Sequence, residues 1–222
     1  MSAEEKILTI ISYDSTDPES LEKAHETKTS IEKYDGWSPF LAPLVTREYL
    51  PERIKWAKNG KMSSHIEKVE KDPENLELYR DLVYYQREAV SHRLFWQRVA
   101  SRKKACAFIE AGMMCYSDWS RPKFSNCLIL HMQHAFDFPS PLERYWMHIP
   151  KEREIGVHPI DPTHPLEYSF NNRYSGSKFM PGTNAYVMNP QGANQMIKGT
   201  SKYGLDQAGQ ILNTALVDLE FL

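Results

Sequence analysis

Short apolar runs that alternate with helix start signals constrain the fold of this chain more than any other feature. Ile7–Ile11, Ala105–Ile109 and Asn184–Met188 are largely apolar without strict alternation, which is typical of strands buried on both faces. Asp17-Pro18 and Asn189-Pro190 each place a capping residue before a proline, and this pairing predicts the start of a helix. The alternation predicts an α/β fold, with a Rossmann-type mixed sheet and helices on both faces.

The same signals predict the remaining elements. The first helix should end near Tyr34, and the longest helix should begin at Asp72-Pro73 and lead into the strand at Ala105. Pro43 predicts that its strand is either an edge strand or an irregular one. The other predicted features are a strand at 127–130, a proline-rich loop region at 139–165, a helix that ends at Gly199, a short helix from Asp206, a closing strand at 214–222, and water-facing arginines at Arg80, Arg87, Arg98 and Arg102.

Composition limits the class of protein. The 222 residues suit one domain spanning 1–222, and a net charge of −2 argues against a protein whose main role is to bind polyanions. Three cysteines without paired spacing, no signal-peptide pattern and no long apolar run predict a cytoplasmic protein. A closing strand that reaches Leu222 is consistent with a missing C-terminal extension.

Two predicted loops lie where an open α/β sheet binds its ligands, beyond the carboxyl ends of its strands. Ser12, Tyr13 and Asp14 offer hydroxyls, backbone amides and an aromatic ring to a nucleoside, although a solvated turn is the alternative interpretation. Glu110, at the end of the central strand, is suited to bind a cation or a sugar hydroxyl. Gly112 would allow a phosphate to approach the backbone closely. Together the two loops predict a nucleotide-binding edge.

Three segments between residues 87 and 206 occur in an order known from one enzyme family. Residues 87–96, REAVSHRLFW, form a helical segment with a Ser-His pair and a nearby tryptophan, ahead of a strand that ends in Glu110. Residues 182–193, GTNAYVMNPQGA, combine an alanine-tyrosine strand with a glycine-alanine helix start. Asp206 then opens a late helix. In this order and rough spacing the segments resemble glycosyltransferase family 25.

The resemblance implies the nucleotide-sugar-binding fold called GT-A, and transfer of a sugar from a nucleotide donor to a hydroxyl. The donor is expected to be a uridine diphosphate sugar framed by Glu110 and the loop Ser12–Asp14, with Asp206 orienting or deprotonating the acceptor. The acceptor would be a glycan or, in a phage enzyme, a hydroxylated DNA base, and the lack of a signal peptide favours DNA. Acceptor contacts are expected from three aromatic or cationic side chains, Trp119, Arg121 and Trp146.

The chain departs from this family at the acidic motif. Where the family has Glu-Asp-Asp, the chain has Glu110-Ala111-Gly112, and a single carboxylate makes a weak site for Mn²⁺ or Mg²⁺. Three interpretations stay open. Arg173 and Lys178 would neutralise the donor diphosphate without a metal, or Asp118 and the loop histidines would rebuild a metal site. In the third, the chain is a catalytically inactive module that binds a nucleotide sugar or a glycan.

Several side chains have a structural interpretation beside the functional one. His92 lies on the apolar stripe of the long helix and is either a core histidine or a catalytic one. Asp206 is either a helix N-cap or a base. The spacing gives weaker support to three further hypotheses: zinc bound by His131, His134 and Cys127, a hydrolase built on Cys106 or Cys115, and a phosphate-backbone contact by the cations of 98–104.

Overall fold

The computed structural model describes residues 6–50, 82–115, 123–130, 158–159, 184–206, 212, 216–217 and 219–221. The predicted helix start at Asp72-Pro73 and almost all of the proline-rich loop region lie outside this part of the chain. In the described part, no helix combines the length and the apolar character needed to cross a membrane.

In the described part of the chain, a seven-stranded mixed sheet forms the centre of the fold. Its order is β2-β1-β3-β6-β4-β7-β5. Strand β1 pairs in parallel with β2 and β3, whereas β6 lies antiparallel between β3 and β4. The strands are β1 (Ile7–Tyr13), β2 (Trp37–Pro43), β3 (Cys106–Glu110), β4 (Cys127–Ile129), β5 (His158–Pro159), β6 (Ala185–Met188) and β7 (Leu219–Phe221). The predicted α/β class with a mixed sheet is confirmed, and among the described strands the Pro43 strand lies at an edge, which is one of its two predicted alternatives.

Helices cover both faces of the sheet. Because successive strand residues point to opposite sides, alternate residues of one strand pack against different helices. On one side, Ile11, Ile109 and Val187 pack with Ala24 and Ile31 of helix α1 (Pro18–Glu32). On the other side, a second core joins Ile10, Phe108 and Tyr186 to two helices, α2 (Leu82–Arg102) and α3 (Pro190–Tyr203). The continuously apolar strands of the sequence are therefore those buried between two helical layers.

Both helix start signals are confirmed by their capping bonds. The Asp17 side chain accepts a hydrogen bond from the backbone N–H of Glu19, and the Asn189 side chain accepts one from that of Gly192. In each helix a proline follows the cap, where its missing N–H would have no partner within the helix. Local chemistry therefore fixes where α1 and α3 begin.

The predicted end of α3 at Gly199 is wrong, since the helix continues to Tyr203. A Cβ at Gly199 would lie 2.8 Å from Cδ2 of Leu216, so this glycine serves close packing inside the helix. The residue that ends the helix is Gly204, whose φ of +91° lies in the left-handed region that favours glycine. The closing strand is also shorter than predicted, because β7 covers Leu219–Phe221.

Candidate functional site

The loops after β1 and β3 meet at one edge of the sheet, as predicted. Ser12 and Glu110 are partners in the parallel register of these strands. The backbone N–H of Ala111 donates to the Ser12 carbonyl (2.9 Å), and that of Leu44, just after β2, donates to the Tyr13 carbonyl (2.8 Å). Three neighbouring loops are thus joined at the carboxyl ends of parallel strands, where open α/β sheets bind ligands.

Strand alternation directs the Glu110 side chain toward α2. Cys106 and Phe108 face that helix, and Glu110 continues the same face. Glu88 and His92 lie one turn apart on α2, so they share one side of the helix. His92 Nε2 is 3.8 Å from Glu88 Oε1 and 4.0 Å from Glu110 Oε1. One potential ligand atom from each of these three residues lies within 4.8 Å of the other two.

Aromatic residues hold His92 in a fixed orientation beneath Glu110. The imidazole packs against the Phe108 ring at a centroid distance of 4.1 Å and is fully buried. Its Nδ1 lies 2.8 Å from the Tyr186 hydroxyl, which also accepts a hydrogen bond from Trp96 Nε1 at 3.0 Å. His92 Nε2, which points toward the two glutamates, has no hydrogen-bond partner. The ring of His92 is therefore packed in the core, in agreement with the structural interpretation of this residue. Its Nε2, however, faces the carboxyl groups of Glu88 and Glu110.

Burial favours the uncharged forms of this cluster. It lowers the pKa of His92 to about 3 and raises that of Glu110 to about 7. The pKa of Glu88 is raised well above its usual range, first by burial and then by the nearby charge of Glu110. A neutral imidazole therefore faces carboxyl groups that bind protons more readily than ordinary glutamates do, and the His–Glu distances of 3.8 and 4.0 Å do not represent ion pairs.

Asp14 is held by an ion pair that the sequence did not reveal. Arg87 Nη1 and Nη2 each donate to an Asp14 carboxylate oxygen at 2.8 Å, and Arg87 Nε donates to the Val45 carbonyl at 2.6 Å. The backbone N–H and the hydroxyl of Thr16 also donate to Asp14. These bonds, above all those from Arg87, hold the pKa of Asp14 far below its usual range. The prediction that Arg87 faces water is wrong, since it is 7% exposed.

The turn Glu110-Ala111-Gly112 is tied to α1 through its backbone. The Gly112 N–H donates to the Thr27 hydroxyl at 3.0 Å, and Gly112 has a φ of +92°. This left-handed conformation explains the glycine without a ligand. The predicted phosphate contact at Gly112 stays a prediction, and the N–H that would make it already has a partner.

Of the remaining predicted site residues, some lie in or beside the core and others lie outside the described part of the chain. Ser12 is buried at 6% exposure, and Tyr13 packs partly against the core beside α1. Asp206 is 1% exposed and follows Leu205, which belongs to the core beside α2 and α3. Five predicted contacts lie outside the described residues, namely Arg173, Lys178, Trp119, Arg121 and Trp146. Asp118 and the loop histidines considered for a rebuilt metal site also lie outside them, except His158, whose backbone belongs to β5.

A largely apolar cavity of about 160 Å³ lies beside this edge, between the ends of β1 and β2 and helix α2. Ser12 and Phe108 line it from the strands, and Ser91 and Arg98 line it from α2. The Ser91 hydroxyl accepts a hydrogen bond from the Val45 N–H at 3.0 Å, which fixes one wall. The cavity therefore offers a preformed space with the Arg98 cation at its border.

Sequence reasoning missed Glu88 as a site residue. The four-residue spacing of Glu88 and His92 was a readable signal, because it places both side chains on one face of a helix. The sequence did not show that this face of α2 lies against the end of β3.

Among known proteins, no family model matches the chain, and a search of the curated proteins finds no relative.

Proposed function

We propose that this chain is a glycosyltransferase that moves a sugar from a nucleotide donor, in the first instance a uridine diphosphate sugar, to an acceptor hydroxyl. The observation that carries the proposal is that the loops after β1 and β3 meet at Ser12 and Glu110. There the Glu110 carboxyl group lies close to Glu88 and His92. The order of motifs resembling family 25 supports the same assignment. The GT-A type of nucleotide-binding fold is part of this proposal.

Parallel strands support a nucleotide site at this edge. Strands β2, β1 and β3 are adjacent and parallel, and their linked loops meet at the carboxyl ends of these strands, where open α/β sheets bind ligands. Tyr13 would stack on the base, and Ser12 would bond the donor. The ion pair with Arg87 keeps the Asp14 loop rigid, so the donor would meet a preorganised surface.

In the proposed reaction the acceptor oxygen bonds to the anomeric carbon as the bond from that carbon to the diphosphate oxygen breaks. The nucleoside diphosphate leaves, and the acceptor proton passes to a carboxylate, which we propose to be Asp206. Glu110 would contact the donor sugar or a cation on the diphosphate. The proposed acceptor is a glycan hydroxyl or a hydroxylated DNA base, and the proposed compartment is the cytoplasm.

Calorimetry with uridine diphosphate sugars, with and without Mn²⁺, tests donor binding, and product analysis with glycan and hydroxymethylated DNA acceptors tests transfer. Glu110→Gln should lower turnover by at least about 100-fold. The matched control is Glu22→Gln, which removes an exposed carboxylate from α1 and should leave turnover unchanged. Failure to bind any nucleotide sugar would refute the transferase assignment.

The alternative is a module that binds a nucleotide sugar without transferring it. It is favoured by the Ala111-Gly112 turn, which supplies no second carboxylate and uses both of its N–H groups within the fold. Donor binding without product on any acceptor would select this alternative. For a DNA acceptor, affinity for a duplex should fall steeply with salt, and a flat response would exclude DNA.

A further inference from the structure

We propose that Glu88, His92 and Glu110 form a binding site for a divalent transition-metal cation. The site differs from an acidic motif at a strand end, since two of its three ligands come from α2. The cation site is a property of the folded chain, and its use in sugar transfer rests on the proposed function. The side chains of Glu88 and His92 would supply the cation ligands that Ala111 and Gly112 do not provide.

The geometry leaves room for a shared cation. The distances of 3.8 and 4.0 Å from His92 Nε2 to the two carboxylates are too long for hydrogen bonds. Ligand atoms that each lie ~2.1 Å from one ion are themselves separated by roughly 3.0–3.6 Å. Small side-chain rotations would therefore bring all three groups into the coordination shell of one ion.

The orphaned imidazole nitrogen is a second observation, independent of the acidic pair. His92 is fully buried, and its Nε2 points at both carboxyl groups without a hydrogen-bond partner. A buried polar atom without a partner costs free energy, so this nitrogen would gain stability from binding a cation between the two carboxyl groups. Its other nitrogen already lies against the Tyr186 hydroxyl, the kind of outer contact that orients a metal-binding histidine.

The donor set indicates the class of ion. One imidazole nitrogen with two carboxylates suits Mn²⁺, Fe²⁺ or Zn²⁺, whereas Mg²⁺ prefers oxygen ligands alone. A doubly charged ion would balance the charge of its two carboxylate ligands. Glu110, with 25% of its side chain exposed, is the member that reaches solvent, so a cation would enter past it.

The test is a titration of the intact chain with Mn²⁺ alone, followed by the loss of the free-ion signal in electron paramagnetic resonance. We expect one bound ion per chain with a Kd below about 1 mM, and nitrogen modulation of the bound-ion signal from a coordinated imidazole. Zn²⁺ should displace the Mn²⁺. An ion bound without nitrogen modulation, or no binding in this range, would overturn the proposal.

Variants separate this site from adventitious surface carboxylates. Glu88→Gln and Glu110→Gln each replace a ligand with a neutral group of the same shape, and each should weaken Mn²⁺ binding by roughly 10–100-fold. Circular dichroism should show both variants folded, and Glu22→Gln should bind as the wild type does. Wild-type affinity in folded Glu88→Gln would overturn the site. Donor binding without Mn²⁺ binding would refute the metal site while leaving the transferase proposal intact.

Discussion

The ion pair between Asp14 and Arg87 gives the most direct test of how the site edge is held together. Asp14→Asn keeps the size of the side chain but replaces one carboxylate oxygen with an amide N–H₂ group. Arg87 then loses one of its two 2.8 Å acceptors, and its buried charge loses its counter-charge. We expect the free energy of unfolding at pH 7 to fall by about 3 kcal/mol.

The magnitude follows from the exposure of the two partners. Breaking a fully buried ion pair costs about 3–5 kcal/mol, because one charge stays buried without compensation. The Arg87 side chain is 9% exposed and that of Asp14 is 18% exposed, which places the cost at the lower end of this range. Part of the Asp14 network survives, since an asparagine oxygen can still accept the bonds from Thr16.

The pH dependence of the same variant has a defined sign. Folding lowers the pKa of Asp14 below its ordinary value of 3.8, so the stabilisation by ionised Asp14 is fully present above that pH. It is lost as the pH falls through the folded-state pKa. The difference in unfolding free energy between wild type and Asp14→Asn should therefore shrink as the solution is made more acidic than pH 3.8.

Urea denaturation followed by tryptophan fluorescence measures both effects. The matched control is Asp35→Asn, which breaks an ion pair between exposed side chains, with 3.7 Å between Lys6 Nζ and Asp35 Oδ1. It should change stability by less than about 0.5 kcal/mol. The reasoning is refuted if Asp14→Asn is no more destabilising than this control, or if the difference from wild type stays constant in acid.

Two further substitutions test the packing around the site, by urea denaturation at pH 7. Tyr186→Phe removes the hydroxyl that bonds Trp96 Nε1 and lies against His92 Nδ1, and it should cost about 2–4 kcal/mol because two buried nitrogens lose a partner; wild-type stability would mean that this network does not form. Gly192→Ala should cost about 2 kcal/mol although alanine favours helices, since its Cβ would lie 2.5 Å from the Asn126 carbonyl oxygen. An increase in stability would show that α3 does not approach this backbone so closely.

Local chemistry allowed the sequence to predict most secondary structure in the described part of the chain. Capping side chains followed by proline mark the starts of α1 and α3, and short apolar runs mark β1, β3 and β6. These signals act within a few residues, so they do not depend on the rest of the fold. The convergence of Ser12 and Glu110 was also predictable, because parallel strands end at a common edge.

Residues that the sequence alone would misplace are those whose partners lie far along the chain. In the sequence Gly199 resembles a helix stop, but in the structure Leu216 packs against it. Arg87 resembles a surface cation, but it pairs with Asp14, which lies 73 positions away. No local pattern encodes such contacts.

The sequence by itself determined where α1 and α3 begin, where β1, β3 and β6 lie, that the sheet is buried between helices, and that Glu110 ends a central strand. Only the tertiary structure decided that β6 enters antiparallel beside β3, bringing the Tyr186 hydroxyl to His92. It also decided that the face of α2 carrying Glu88 and His92 lies against the end of β3. The physical reason is that spacing fixes which side chains share a face, whereas the packing of whole elements fixes what that face meets.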